Sequence, residues 1–206
     1  MLVVDAVYLP AQEVGGDFYF VAERDGSRVI VVGDVSGKGL KAAMLVSMAV
    51  GVLRRETAVS PPAILSSLNQ ALAGNTGGAF VTCCCVRVDA DGLVTVANAG
   101  HPAPYLDGVE LECEGGLPLG INAEAEYREV VVPQPAVLTL VSDGVVEAAN
   151  ASGELFGFER TRNVSEMPAR EIAEAPRKWG QNDDITVVTV HSTRTVHSTR
   201  TVRRAS

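Results

Sequence analysis

Four short polar turns in this chain each present aspartate carboxylates. Three of them adjoin apolar, β-branched runs at residues 29–32, 137–141 and 185–190. Runs of this length and composition predict buried strands. Strand ends that direct several carboxylates toward one place form a site for a hard divalent cation. The turns are centred on Asp17, Asp34, Asp143 and the pair Asp183 and Asp184.

The length and composition predict one globular domain followed by a tail. The chain has 206 residues, of which 47% are hydrophobic and 20% are charged, an ordinary balance for a domain with a sizeable core. The hexapeptide VHSTRT at 190–195 is repeated at 196–201. We expect a catalytic domain over residues 1–190 and a basic, flexible tail over 191–206.

The charge distribution argues against nucleic-acid binding. The formal net charge is −8, and the last sixteen residues hold four arginines and no acid. Residues 1–190 therefore hold 13 basic and 25 acidic residues, a net charge of −12. An acidic body of this kind does not attract a polyphosphate backbone. It suits a metal site and a protein partner.

We expect a cytoplasmic protein without a membrane span. No stretch approaches the ~20 apolar residues that a membrane helix needs, and the N-terminus lacks the basic segment of a signal peptide. Three of the four cysteines are consecutive, at Cys83, Cys84 and Cys85. Neighbours on a strand point to opposite faces, so these thiols are predicted to be buried and reduced.

The periodicity predicts an α+β fold, an antiparallel β-sandwich flanked by α-helices. Roughly nine strands in hairpins are expected, with two adjacent helices at 40–56 and 60–73. Ser60 is expected to cap the second helix, with proline in its first turn. A short, broken helix is predicted at 165–179.

The carboxylates predict chemistry on phosphorus. A set of oxygen ligands suits Mn²⁺ or Mg²⁺. A carboxylate that bridges two such ions can hold a hydroxide between them for in-line attack. Asp34 is the best candidate for the bridge, because it ends an apolar strand and enters a glycine-rich turn. The carbonyl of Val35 is a candidate backbone ligand.

Six motifs in order resemble the metal-dependent protein phosphatases of type 2C, in particular the bacterial SpoIIE/RsbU-like branch. The resemblance covers about residues 3–190. The motifs are EVGGDFY at 13–19, GDVSGKG at 33–39, ANAGHP at 97–102, GLPLG at 116–120, SDGVVEA at 142–148 and DDIT at 183–186.

The resemblance implies a four-layer α/β/β/α fold, a centre of two Mn²⁺ or Mg²⁺ ions, and hydrolysis of phosphoserine or phosphothreonine. The implied substrate is a phosphorylated anti-anti-sigma (STAS-domain) protein of a partner-switching pathway. By motif, Asp34 resembles the bridging ligand, Asp143 and Asp183 the ligands of one metal, and Asp17 with the Val35 carbonyl those of the other. Asp184 is expected to support the ligands, or to be the ligand itself if the match shifts by one residue.

The chain departs from the family pattern at two positions. Phe20 stands where the branch commonly has a further aspartate, and Ser36 stands where the wider family often has a histidine. These departures leave open a second interpretation, a catalytically weak phosphatase fold that binds a phosphoprotein as a regulatory module. In this branch the helix pair at 40–73 is expected to form a switch, a sensor contact or a homodimer contact.

Lys38 and His101 lie in motifs but are not expected to be catalytic. Residues 33–39 do not form a nucleotide-binding P-loop, because the spacer is one residue short and Gly39 replaces the required Ser or Thr. Lys38 is therefore expected to be solvated or to steer phosphate. His101 is expected to be structural.

Overall fold

The computed structural model describes residues 2–192 as two five-stranded sheets packed face to face, with helices on both outer sides. Every pairing between neighbouring strands is antiparallel. The strands are β1 (Leu2–Leu9), β2 (Asp17–Arg24), β3 (Ser27–Val35), β4 (Val81–Val88), β5 (Leu93–Ala99), β6 (Tyr105–Leu106), β7 (Val109–Glu110), β8 (Glu129–Pro133), β9 (Val137–Val141) and β10 (Ile185–Ser192). The helices are α1 (Leu40–Arg55), α2 (Pro61–Leu72), α3 (Asp143–Val146), α4 (Gly157–Val164) and α5 (Ala169–Gly180).

Strands of the two sheets alternate in blocks along the chain. One sheet has the order β2-β3-β4-β5-β8, and the other has the order β1-β10-β9-β6-β7. The second sheet therefore joins the first strand of the chain to the last strand described. This arrangement confirms the predicted α+β class and sandwich.

The alternation of side chains along β3 builds two separate core layers. Val29 and Val31 face α1 and α2, whereas Ile30 and Val32 face the other sheet. The cysteines of β4 alternate in the same way, since Cys84 lies between the sheets and Cys83 and Cys85 lie under the helices. A strand buried on both faces reads as a continuous apolar run.

Helices cover the outer face of each sheet. Leu53, Ile64 and Leu68 of α1 and α2 are fully buried against the sheet that contains β3. Ile172 and Ala173 of α5 are buried against the sheet that contains β10. The order of layers is therefore helix, sheet, sheet, helix.

The helical prediction at 165–179 is wrong in its bounds. The structure has two helices in this region, α4 and α5, separated at residues 165–168. Pro168 immediately precedes α5, and a proline disfavours the helical conformation of the residue before it. α4 carries charged residues without a long apolar stripe, so its sequence gives a weak periodic signal.

The described strands end at Ser192. Ten strands lie in residues 2–192, close to the expected nine, and β10 includes His191 and Ser192. Residues 193–206 lie outside the described part, so the predicted flexible tail stays a prediction.

Among the described residues, no helix combines the length and the apolar character needed to cross a membrane. All four cysteines are free, and Cys83, Cys84 and Cys85 are buried.

Candidate metal centre

Three of the predicted aspartates meet at one end of the sandwich. Asp17 begins β2 and lies directly opposite Asp34 of β3 in the antiparallel register. Asp143 follows β9 of the other sheet and begins α3. One carboxylate oxygen from each of the three lies within 4.8 Å of the others. The cluster therefore spans the gap between the two sheets.

Asp17 is the most enclosed of the three carboxylates, with 7% of its surface exposed. The hydroxyl of Thr186 on β10 donates a hydrogen bond to Asp17 Oδ2 at 2.6 Å. Burial raises the pKa of Asp17 to about 8, and the neighbouring charges of Asp34 and Asp143 add to that rise. Hydrogen bonds from Thr186 and Ser142 act in the opposite direction, because they favour the charged form.

The pKa values of the other two carboxyl groups, Asp34 and Asp143, are also raised. Burial, followed by the charge of Asp143, raises the pKa of Asp34 to about 7. Burial and the charges of Glu147 and Asp183 raise the pKa of Asp143. In all three the largest cause is burial, and the neighbouring carboxylate charges add to it. A divalent cation would offset both effects and favour the charged carboxylates.

The donor set fits a hard divalent cation. All three side chains offer carboxylate oxygens, and no thiol or imidazole belongs to the cluster. Oxygen ligands suit Mg²⁺, Mn²⁺ or Ca²⁺ and do not select softer metals. The residues present therefore suit the predicted ions.

Asp183 and Asp184 have different environments. Both Asp184 oxygens accept backbone N–H groups at 2.9 Å, from Ala11 and Gly16, and the residue is buried. Asp183 is half exposed and pairs with Lys38 at 3.1 Å. Asp183 lies outside the three-carboxylate cluster but close enough for its charge to act on Asp34 and Asp143. Asp184 thus anchors the loop before Asp17, while the ligand role of Asp183 remains a prediction.

Two glycines permit the close approach of the chain segments around the cluster. A Cβ atom on Gly144 would lie 1.9 Å from the carbonyl oxygen of Asp184. A Cβ atom on Gly16 would lie 2.9 Å from the carbonyl oxygen of Val35 and 3.0 Å from Asp34 Oδ1. The carbonyl of Val35, the predicted backbone ligand, therefore lies beside the residue that precedes Asp17.

Ser36 and His101 are both engaged in supporting contacts. The Ser36 hydroxyl accepts the backbone N–H of Phe80 at 2.8 Å, and the Ser36 N–H donates to the Phe80 carbonyl at 2.9 Å. His101 Nδ1 lies 2.9 Å from the hydroxyl of Thr82, a residue opposite Asp34 in the sheet. Burial lowers the pKa of His101 to about 3, so the imidazole is neutral. These contacts agree with a structural role for His101.

Two contributors to the site were not predicted as such. Thr186 and Ser142 lie inside the motifs at 183–186 and 142–148, but those motifs gave no reason to assign them a contact. The Ser142 hydroxyl also accepts the Thr186 N–H at 2.9 Å. A polar side chain next to a candidate ligand inside an apolar strand is a signal that would identify both residues.

Comparison with known proteins places this chain in a family. The family model for "Stage II sporulation protein E (SpoIIE)" matches residues 24–193, which is most of the chain. This chain belongs to the SpoIIE family.

Individual relatives agree with the SpoIIE assignment. "Phosphoserine phosphatase RsbU" of Bacillus subtilis is 31% identical over 163 residues, a match that covers 74% of this chain and 49% of that protein. The chain thus spans about half the length of that relative.

Solved structures show that the fold is that of the type 2C (PP2C) phosphatases. The SiaA-PP2C domain of Pseudomonas aeruginosa is 25% identical and has a TM-score of 0.77, with coverage of 92% of this chain and 85% of the other. The structure of the RsbU and RsbW domains of Rv1364c from Mycobacterium tuberculosis has a TM-score of 0.76 at 24% identity, covering 92% of this chain and 59% of that one. The predicted SpoIIE/RsbU-like branch is confirmed.

Proposed function

We propose that this SpoIIE-family chain is a metal-dependent protein phosphatase that hydrolyses phosphoserine or phosphothreonine on a regulatory protein. The observation that carries the proposal is the convergence of Asp17, Asp34 and Asp143 within 4.8 Å on a fold shared with PP2C domains. The similarity to a phosphoserine phosphatase supports the reaction class. The catalytic unit we propose is residues 1–190.

We propose two Mn²⁺ or Mg²⁺ ions as cofactor. Asp34 would bridge them, Asp143 and Asp183 would hold one, and Asp17 with the Val35 carbonyl would hold the other. When bound, such ions supply an activated hydroxide and positive charge for the phosphoryl oxygens. Hydrolysis consumes one water and yields the free serine or threonine hydroxyl and inorganic phosphate.

The residues of the chain itself orient the ligands. Thr186 fixes the Asp17 carboxylate through its 2.6 Å hydrogen bond. Asp184 holds the backbone of Gly16, directly before Asp17. Each contact removes a rotational or backbone freedom that metal binding would otherwise have to restrict.

We propose a phosphorylated STAS-domain protein as the substrate and the cytoplasm as the compartment. The relative named RsbU supports a partner-switching role, and four free cysteines suit a reducing compartment. The pair α1 and α2 is the proposed contact for a sensor domain or a second copy, since Leu40 and Met44 are 75% and 63% exposed.

Hydrolysis of p-nitrophenyl phosphate and of a phosphoserine peptide tests the activity. Turnover is expected with Mn²⁺ or Mg²⁺ and is expected to disappear with a chelator and in Asp34→Asn. Asp25→Asn is the matched control, because Asp25 lies in the β2–β3 turn with a φ of 49° that asparagine tolerates. Turnover that persists in Asp34→Asn would contradict the metal bridge. A folded, Mn²⁺-binding protein without turnover would favour the regulatory-module interpretation.

A further inference from the structure

The loop between β3 and α1 places a lysine against Asp183, whose charge acts on Asp34 and Asp143 of the cluster. Gly37 and Gly39 flank Lys38 and have positive φ angles of 108° and 77°, a conformation that glycine adopts without strain. The Lys38 ammonium lies 3.1 Å from Asp183 Oδ2 and donates to the carbonyl of Asn182 at 3.2 Å. Lys38 thus connects the loop after Asp34 to the loop before β10.

Lys38 also borders the chain segments that flank the cluster. It lines a small recess together with Gly16, the residue before Asp17, and with Asp183 and Asp184. On its other side it lines a cavity of about 280 Å³ with Ser36 and Lys41. Lys38 therefore lies between this recess and the cavity, next to the residue that precedes Asp17.

The ion pair with Asp183 can exchange its partner. The side chains of Lys38 and Asp183 are 48% and 50% exposed, and exposed pairs of this kind contribute little to stability. A phosphate dianion carries more charge than the carboxylate and offers several acceptor oxygens. A lysine ammonium is a common point-charge contact for such oxygens.

Lys41 lines the same cavity as Lys38 but contacts a different part of the chain. Its ammonium donates to the carbonyl of Gly77 at 2.7 Å, which directs it toward the segment before β4. Lys41 lines the cavity but not the recess beside Asp183. This difference makes Lys41 a matched control for charge in the same region.

We infer that Lys38 binds the phosphoryl group of the substrate, exchanging Asp183 for a non-bridging phosphate oxygen. The inference rests on the proposed phosphatase function and assigns one of its substrate contacts. Lys38 is then a substrate-binding residue whose loss weakens phosphate binding. A purely structural role, as a link between two loops, would instead lower thermal stability or Mn²⁺ affinity.

Phosphate binding and steady-state kinetics test the inference together. In Lys38→Gln, we expect the KM for p-nitrophenyl phosphate and the inhibition constant of inorganic phosphate to rise about 10- to 100-fold, the usual range for losing a hydrogen bond to a charged group. Lys38→Arg should recover most of this loss, and Lys41→Gln should match the wild type. The melting temperature should change little in all three variants, and Mn²⁺ affinity should not fall, since the Lys38 ammonium competes with a cation for the proposed ligand Asp183.

Direct titration separates this inference from the proposed function. Binding of inorganic phosphate to the Mg²⁺-loaded protein is measured calorimetrically in the wild type and in Lys38→Gln. A wild type without turnover would contradict the phosphatase proposal, while the titration would still decide the role of Lys38. Equal phosphate affinity in the two proteins, or a loss explained by weaker Mg²⁺ binding, would overturn the inference.

Discussion

Thr186 links the last strand to the carboxylate cluster through one hydroxyl group. It is fully buried on β10 and donates to Asp17 on the opposite sheet. Thr189 lies on the same strand and is equally buried, but its hydroxyl has no hydrogen-bond partner among the described residues. Substituting each threonine in turn therefore distinguishes the loss of a buried hydroxyl from the loss of the hydrogen bond to Asp17.

We predict that Thr186→Val weakens Mn²⁺ binding about 10- to 100-fold, as is typical when a hydrogen bond that orients a metal ligand is lost. Valine keeps the shape of the side chain but cannot donate to Asp17. Thr189→Val should leave Mn²⁺ affinity unchanged, because no contact of its hydroxyl is removed. Calorimetric titration of Mn²⁺ into each protein provides the measurement, and equal affinities in the two variants would contradict the assigned role of Thr186.

Gly144 allows α3 to lie against the loop that carries Asp184. We predict that Gly144→Ala lowers the free energy of unfolding by about 1–3 kcal/mol, the usual cost of forcing an added methyl group into a packed site. It should also reduce Mn²⁺ affinity, since Asp143 is the adjacent residue. The 1.9 Å separation between the added Cβ and the Asp184 carbonyl is the reason for both effects.

Gly51 offers a control for the glycine substitution. It lies within α1, and a Cβ atom there would meet nothing within 4 Å. Gly51→Ala should therefore stabilise the protein by about 0.5–1 kcal/mol through helix propensity alone. Urea unfolding of both variants distinguishes the two cases, and a Gly144→Ala protein as stable as the wild type would mean that the loop can move away freely.

At the scale of elements, α1 and α2 have a buried inner face and an exposed outer face. Leu68 of α2 is fully buried against the sheet. Leu40 and Met44 lie four residues apart on α1 and are exposed. The inner face thus belongs to the core, and the outer face is available for the proposed sensor or homodimer contact.

We predict that Leu68→Ala lowers the free energy of unfolding by about 2–5 kcal/mol, the range for cavities left by large-to-small core substitutions. Met44→Ala should change it by less than about 0.5 kcal/mol, as is usual for an exposed site. Denaturant unfolding at several protein concentrations measures both effects. A large, concentration-dependent loss in Met44→Ala would instead show that a second copy covers this face.

At the scale of the whole molecule, the cluster connects the two halves of the sandwich. Asp17 and Asp34 belong to one sheet, whereas Asp143 follows a strand of the other. Crowded like charges across this junction oppose the packing of the sheets, and a bound cation would favour it. Metal binding is therefore expected to stabilise the entire domain.

We predict that each occupied Mn²⁺ site, at about 100 times its dissociation constant, stabilises the wild type by about 2.7 kcal/mol, as linkage requires. For a chain of this size, that corresponds to a rise in melting temperature of about 5–10 °C. The rise should be much smaller in Asp34→Asn, while Asp25→Asn should behave like the wild type. Differential scanning calorimetry with and without a chelator makes the comparison, and an equal rise in Asp34→Asn would place the cation elsewhere.

Local patterns in the sequence were sufficient to predict the hairpins, the pair α1 and α2, and the positions of Asp17, Asp34 and Asp143 at element ends. These features depend on neighbours in the chain, since a strand repeats every two residues and a helix every 3.6. The pairing of Asp17 with Asp34 also follows from a local hairpin. The helix boundaries near Pro168 were harder to predict from the sequence, because α4 is short and mostly polar.

The tertiary structure decided which side chains surround the carboxylates. Thr186 meets Asp17 across a separation of 169 residues, and Asp184 holds Gly16 across 168. Lys38 and Asp183 are likewise distant in the chain and adjacent in space. Such contacts depend on how two sheets pack and on which loops that packing brings together. The sequence by itself therefore determined which carboxylates the candidate site contains. The packing of the sheets determined its geometry, because no local periodicity specifies contacts between distant segments.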